Sequence, residues 1–231
     1  MRGGVQLRKL TEYPWHTGKL PKPVRLLVVS DLHNDRFNDM LPLLSSCDAL
    51  LLPGDLADAY RQQYERAIEF LALAAQTLPT FVSVGNHDVK LKDFRTFERR
   101  VRETGAKFLF NTYERFGPLV IGGWYRPLRY GQPDMLPAFL AEDGCKVLLC
   151  HRPEDYLHHL ADKEIDLVVA GHTHGGQWRI GSRGVYCSGQ GIFPKFTRGV
   201  HGKMIISAGV SNRVAVPRIH NPREVLRIDL D

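Results

Sequence analysis

Ile165-Asp166-Leu167-Val168-Val169-Ala170-Gly171-His172-Thr173-His174-Gly175-Gly176-Gln177 runs from an apolar, β-branched segment into two histidines held between glycines. A short apolar run of this kind reads as a buried strand. Both histidines would then lie at its C-terminal end, where open α/β sheets bind their ligands. Neutral imidazole is the commonest side-chain ligand of transition metals, and Gly171, Gly175 and Gly176 let the backbone turn and approach a ligand closely. One His-x-His in a loop is more often a bystander than a ligand. The weight of the argument falls on how the other apolar runs end.

Four of them end in the same chemistry. Residues 25–30 lead into Asp31-Leu32-His33, and residues 49–53 into Gly54-Asp55-Leu56-Ala57-Asp58. Residues 80–84 lead into Gly85-Asn86-His87-Asp88, and residues 146–150 into His151. Taken singly, each ending is ordinary turn chemistry. A parallel-type sheet, however, gathers the C-terminal ends of its strands along one edge, so that residues distant in sequence converge. The pooled carboxylates, imidazoles and single amide oxygen are the ligand set for two divalent transition metals about 3.5–4 Å apart. One carboxylate must bridge the pair, and Asp55 on its Gly54 turn is a good candidate. His16, His158, His159, His201 and His220 have no comparable setting and read as surface or packing residues.

The remaining segments supply scaffold. Residues 61–76 place Tyr64, Ile68, Leu71 and Ala75 at helical spacing, and residues 92–103 do the same with Phe94, Phe97 and Val101 before Gly105. Shorter strands are expected at 107–110 and 118–122, and a short helix at 153–160. Residues 124–137 read as an irregular loop whose Trp124, Tyr125 and Tyr130 either cover a site or pack. Length sets the prior of one domain over 1–231: a lead-in (1–24), the motif-bearing part (25–174) and a β-rich end (175–231). Cys47, Cys145, Cys150 and Cys187 show no C-x-x-C spacing and read as free thiols in a reducing compartment. With no apolar signal core near the N-terminus, a cytoplasmic protein is expected. The net charge is +6, yet residues 171–223 hold eight basic residues and no Asp or Glu, leaving −2 for the remainder. A basic region that starts at the His-x-His points to an anionic substrate or surface. Its mixture of Trp178, Arg179, Ile180 and residues 192–198 suits a lipid headgroup interface, so a lipid-linked substrate and contact with an anionic membrane are both admitted.

The five motifs together resemble the complete series of the calcineurin-like metallophosphoesterases: Asp31-x-His33, Gly54-Asp55-x-x-Asp58, Gly85-Asn86-His87-Asp88, His151 and Gly171-His172-x-His174. Gly171-His172-Thr173-His174-Gly175-Gly176-Gln177 and the later Val216-Pro217-Arg218…Asn221-Pro222 resemble more narrowly a bacterial phosphodiesterase branch, similar to enzymes acting on UDP-2,3-diacylglucosamine. Gly54-Asp55-Leu56-Ala57-Asp58-Ala59-Tyr60 departs from the Gly-Asp-x-Val-Asp-Arg-Gly of the protein phosphatases. The resemblance implies an α/β fold, a four-layer α/β/β/α sandwich with two mixed β-sheets. It implies two divalent ions (Mn, Fe, Zn or Co, with Mg also open), one held by Asp31, His33, Asp55 and His174, the other by Asp55, Asn86, His151 and His172. His87 would be the catalytic histidine at the leaving group, oriented by Asp58 or Asp88. The implied reaction is hydrolysis of a phosphodiester or pyrophosphate bond through a hydroxide bridging the ions. Two divalent ions less the charges of Asp31 and Asp55 leave about +2 for the reactants, which favours diesters. A nuclease of the same superfamily fits the basic end less well, since that end is rich in Gly, Phe and Ile rather than a basic helix, and nucleic acid is the weaker partner. A binding module without turnover is the alternative from another class, and the intact His87 argues against it.

Overall fold

The computed structural model describes residues 8–126, 133–187, 190–212 and 217–231; Tyr130, Arg213 and Val216 lie outside them. In chain order, β1 (Lys9–Trp15), β2 (Val24–Val28), β3 (Ala49–Leu52), β4 (Thr80–Ser83) and β5 (Lys107–Leu109) build a first sheet. A second sheet takes β6 (Thr112–Phe116), β7 (Leu119–Gly123), β8 (Cys145–Leu149) and β9 (Leu167–Ala170). Two small hairpins follow, β10 (Arg179–Ile180) with β11 (Arg183–Gly184) and β12 (Tyr186–Cys187) with β13 (Gly191–Ile192). The second sheet is completed by β14 (Gly199–His201) and β15 (Met204–Ile206), and the chain returns to the first sheet as β16 (Glu224–Leu230). The strand orders are β1-β16-β2-β3-β4-β5 and β14-β15-β9-β8-β7-β6. Both sheets are mixed: β2 to β5 run parallel and β16 pairs antiparallel with β2, while β15, β9, β8 and β7 run parallel between antiparallel β14 and β6.

Side chains on a strand alternate between the two faces of its sheet, and here both faces are buried. Leu26, Val28, Leu51 and Phe81 point to the same core as Ile121, Val147, Leu149 and Val169 of the second sheet. Their neighbours Leu27, Leu50, Leu52 and Val82 pack instead against Phe70, Leu71 and Phe97 from α2 (Glu65–Thr77) and α3 (Phe94–Glu103), and against Leu44 of the short α1 (Leu41–Leu44). On the far side, Val120, Leu148 and Val168 meet Phe139 of α4 (Leu136–Ala141) and Tyr156 of α5 (Pro153–His159). These three cores make four layers, α/β/β/α. Strands covered on both faces need near-continuous apolar sequence, which is why 25–30, 49–52, 146–150 and 165–170 stand out in the chain.

Several local readings are corrected. Residues 9–15, expected within a lead-in, form β1, an edge strand running parallel to β16 from Lys9↔Glu224 to Trp15↔Leu230. Three of its seven side chains are exposed and the other four only partly buried, so it does not register as a buried run. The same holds for β6, whose Thr-Tyr-Glu-Arg-Phe is an outer strand. The fully buried stripe of α2 is Ala67, Phe70, Leu71 and Ala74, with Ile68 packed at its margin and only partly buried and Ala75 also only partly buried. Residues 124–137 are not loop throughout: α4 starts at Leu136, with Pro137 in the first turn, where its missing N–H has no helical partner to lose. All four cysteines are free. No helix among the described residues is long and apolar enough to cross a membrane.

Candidate metal centre

The loops after β2, β3 and β4 meet those after β8 and β9 across the junction of the two sheets. Backbone contacts set the meeting: Asp31 N donates to Gly54 O (3.1 Å), His33 N to Asp55 O (3.0 Å) and Gly171 N to His151 O (3.0 Å). The approach is close enough to demand glycine. A Cβ on Gly85 would lie 2.1 Å from Asp55 Oδ1, and one on Gly171 would lie 2.5 Å from Asp31 Oδ2. Gly171 therefore serves by its lack of a side chain, not by a left-handed turn.

Among the described residues three groups of donors result, each able to hold a cation: Asp31 with His33 and His174, Asp55 with His151 and His172, and His33 with Asp55 and His87. His33 Nε2 stands 3.2 Å from His174 Nε2 and 4.0 Å from Asp31 Oδ1. Asp55 Oδ2 lies between the halves, 3.1 Å from His151 Nε2 and 3.8 Å from His33 Nε2. Asn86 Oδ1 and His172 Nε2 are buried with no hydrogen-bond partner. Buried polar atoms without partners are uncommon and call for a ligand, and a carboxylate, imidazole and amide set of this composition fits divalent transition metals.

The electrostatics follow from the burial. Burial opposes charge on Asp55, yet His151, His33 and His87 hold its carboxyl well below the usual carboxylate range. Burial likewise opposes protonation of His151, but the Asp55 charge and their hydrogen bond lift it to about 9. Burial and the charge on His151 push His172 down to about 3, and burial with His33 and Arg218 puts His174 well below the ordinary imidazole range. Burial thus favours the neutral form of those two rings, the form that binds metal. Burial also lowers His87, against the pull of Asp55.

The two carboxylates expected beside His87 are placed differently from each other. Asp88 accepts hydrogen bonds from the backbone N–H groups of Asp55, Ala57 and Gly85, each at 2.8 Å, and so ties the loops after β3 and β4 together. Burial and the Asp55 charge raise its carboxyl to about 7, against those bonds. Asp58 Oδ1 accepts from Tyr60 N and Arg61 N. The His87 ring receives the Ala59 N–H at Nδ1 (3.4 Å) and stands edge-on to His33 at 4.4 Å between centroids.

Arg218 and Asn221 emerge as neighbours of the centre that a reading of ligand types passes over. Arg218 Nη2 donates to Ala208 O (2.6 Å) and lies 3.2 Å from His174 Nδ1. Asn221 Nδ2 donates to His174 O (2.7 Å). Their signal was the Pro217-Arg218…Asn221-Pro222 pattern. The basic end of the chain is largely spoken for in this way. Arg179 binds Gly175 O and Thr197 Oγ1, Arg198 pairs with Glu224, and Arg223 lies 3.7 Å from Asp35. The balancing acids come from outside residues 171–223.

Residues 24–176 match the calcineurin-like phosphoesterase family. The match covers well over half of the chain, and the chain belongs to that family. Among its relatives, the uncharacterized metallophosphoesterase Cj0846 of Campylobacter jejuni is 28% identical over 240 residues, covering 91% of this chain and 60% of that protein. Phosphodiesterase YaeI of Escherichia coli is 31% identical over 181 residues, covering 68% of this chain and 63% of that protein. The chain thus spans about 60% of the length of these two relatives. The solved structure of a Termus thermophilus sulfate thiohydrolase SoxB aligns at 15% identity with a TM-score of 0.49, over 89% of this chain and 56% of that one.

Proposed function

We propose that this chain is a metal-dependent phosphoester hydrolase that cleaves a phosphodiester or pyrophosphate bond at a two-ion centre. The observation that supports it is the position of Asp55 Oδ2 between two donor groups, within 4 Å of both His151 and His33. In this reading Asp31, His33, Asp55 and His174 hold one divalent ion, and Asp55, Asn86, His151 and His172 hold the other. Bound ions would supply Lewis-acid charge at the phosphoryl oxygens and a water acidified toward neutrality. Asp55 holds the two halves in register through its shared carboxylate. His87, beside both halves yet outside either ligand set, carries a proton to the departing oxygen, a role worth roughly 100- to 10,000-fold. In the neutral ring Ala59 N–H donates to Nδ1 and the proton sits on Nε2. The protonated ring that gives a proton to the departing oxygen carries hydrogen on both nitrogens and releases this long 3.4 Å contact. Asp88 and the glycines keep the loops closed around this arrangement.

The substrate is proposed to be a phosphate ester with an apolar portion, lipid-linked esters included, met at an anionic membrane surface. Support for this comes from the exposed apolar side chains of the hairpins that follow His174. The central test is metal analysis of protein purified without chelator, followed by assay on bis-p-nitrophenyl phosphate and p-nitrophenyl phosphate. Two bound divalent ions, activity abolished by EDTA and restored by Mn, Zn, Co or Fe, and a preference for the diester are expected. Undiminished turnover in the metal-free protein would overturn the reading.

A further inference from the structure

After Asp58 the chain doubles back on itself beside the centre. Asp58 N donates to Gln63 O (2.9 Å) and Gln63 N to Asp58 O (3.2 Å), closing a short antiparallel bridge. Asp58 Oδ1 caps the turn within, accepting the N–H groups of Tyr60 (3.1 Å) and Arg61 (3.2 Å), the local bonding that makes aspartate a turn former. Gln62 Oε1 accepts Lys92 N (2.8 Å), which anchors the tip to the segment entering α3. Ala59 N–H reaches His87 Nδ1. The turn is thus pinned at its base, its tip and its inner side.

Tyr60 stands on this turn with 86% of its surface exposed. Its ring meets His87 nearly at right angles, 5.1 Å between centroids. A single exposed aromatic is ordinary on a protein surface and means little. This one differs in that its backbone is held on three sides while its ring touches the histidine assigned to the departing oxygen. A tyrosine ring loses little freedom when it becomes a contact surface, having only two side-chain torsions. Asp58 thereby fixes the backbone that carries Tyr60, beside the part assigned to it at His87.

We infer that Tyr60 is one wall of a leaving-group subsite, which takes a flat aromatic group, such as a nucleobase, stacked on its open face. Arg61 sits on the same rim, its guanidinium 3.5 Å from Asp58 and otherwise exposed to solvent, where it meets negative charge on the leaving portion. The inference rests on the proposed phosphoesterase reading and on His87 facing the departing oxygen. Stacking tolerates any base because each presents a π face, and it contributes about 1–3 kcal/mol per base, which is roughly 5- to 150-fold in affinity.

The test uses two diesters with the same phosphoryl centre and leaving alkoxides of similar basicity, one a nucleoside and the other an alkyl alcohol, with product release followed for each. In metal-loaded wild type the nucleoside ester has the lower KM. Tyr60→Ala raises the ratio of the two KM values, nucleoside over alkyl, about tenfold; Tyr60→Phe keeps it, and Tyr60→Trp lowers it. Metal content, measured alongside, reports whether each variant retains the centre. A KM ratio unmoved by Tyr60→Ala in a protein that still binds two ions overturns the subsite while leaving the hydrolase reading in place. Failure of metal-loaded wild type to cleave either ester overturns the hydrolase reading itself.

Discussion

Five of the seven proposed ligands sit on backbone that L residues seldom adopt: Asp31 (φ +55°), His33 (+45°), Asp55 (+55°), His172 (+70°) and His174 (+47°). Left-handed conformations of this kind cost about 1–3 kcal/mol each and persist only where the surroundings over-determine them. Here they are held by Asp31 N on Gly54 O, His33 N on Asp55 O and His172 N on Asp31 Oδ1 (3.0 Å). Such expense at side chains that are also buried and polar has no packing rationale and points to a site. Asp55 is the residue on which the proposal turns. Asp55→Asn removes the shared negative charge, so turnover is expected to fall at least 1,000-fold, with fewer than two ions retained by metal analysis; near wild-type turnover with two ions would refute the bridging assignment. His87→Ala is expected to keep both ions and to slow cleavage by roughly 100- to 10,000-fold for alkoxide leaving groups but much less for nitrophenolate, which departs without a proton. A series of esters graded by leaving-group pKa measures this. Equal losses across the series would assign His87 to phosphate binding instead.

The elements hold these residues through a few cross-links between loops, of which Asp88 is the central one. It satisfies three buried N–H groups on the loops after β3 and β4. A buried donor left without an acceptor costs about 1–3 kcal/mol, so Asp88→Ala is expected to destabilise the fold by about 3 kcal/mol or more, read as a lowered urea midpoint. Asp88→Asn keeps one oxygen and should lose less; equal midpoints for Asp88→Ala and wild type would show that the loops are held by other means. The strands ending at this point were legible in the sequence because being covered on both faces forces unbroken apolar runs, and the polar residues that interrupt them mark the edge of the sheet. The four-layer order followed from the family resemblance and not from periodicity, since nothing in the apolar runs says which sheet a strand joins. The outer strands β1 and β6 were not legible, because half-exposed edges carry mixed residues. Nor were the backbone bonds of Asp58 and Asp88: the family resemblance offers both as partners of His87, and the fold shows in addition that both accept backbone N–H groups. Arg218 and Asn221 approach His174 from more than forty residues away, a contact that only the return of the chain through β15 toward β16 creates.

At the scale of the whole molecule, large apolar side chains reach solvent unevenly. Trp178, Ile180, Tyr186, Ile192, Phe193 and Ile219 are all exposed, Ile180 and Ile192 by 71% and 74%, and all belong to the β-rich end. The backbone gathers them: Tyr186 pairs with Ile192, Trp178 bridges to Ile219, and Val185 joins the two hairpins by bonds to Trp178 O and from Phe193 N. Val185 N also bonds Gly176 O, two residues beyond His174, so the patch adjoins the metal centre. Clustered exposed apolar surface marks an interaction site where scattered residues do not. Among the cations of this region, Arg179, Arg198 and Arg218 face inward onto Gly175, Glu224 and Ala208, whereas Arg183 and Lys195 are exposed beside the patch. Each basic side chain near an anionic bilayer contributes about 1 kcal/mol, and the attraction is screened by salt. The proposed membrane contact therefore predicts co-sedimentation with anionic liposomes at low salt, weakened but still measurable at physiological salt because the apolar tips contribute independently of charge. Arg183→Glu/Lys195→Glu should remove most of the salt-dependent part, and Ile192→Asp/Phe193→Asp the remainder, both without loss of turnover on soluble nitrophenyl diesters. If wild type ignores anionic and neutral liposomes alike at both salt concentrations, the patch has some other partner, and a phosphate ester free in solution becomes the better substrate.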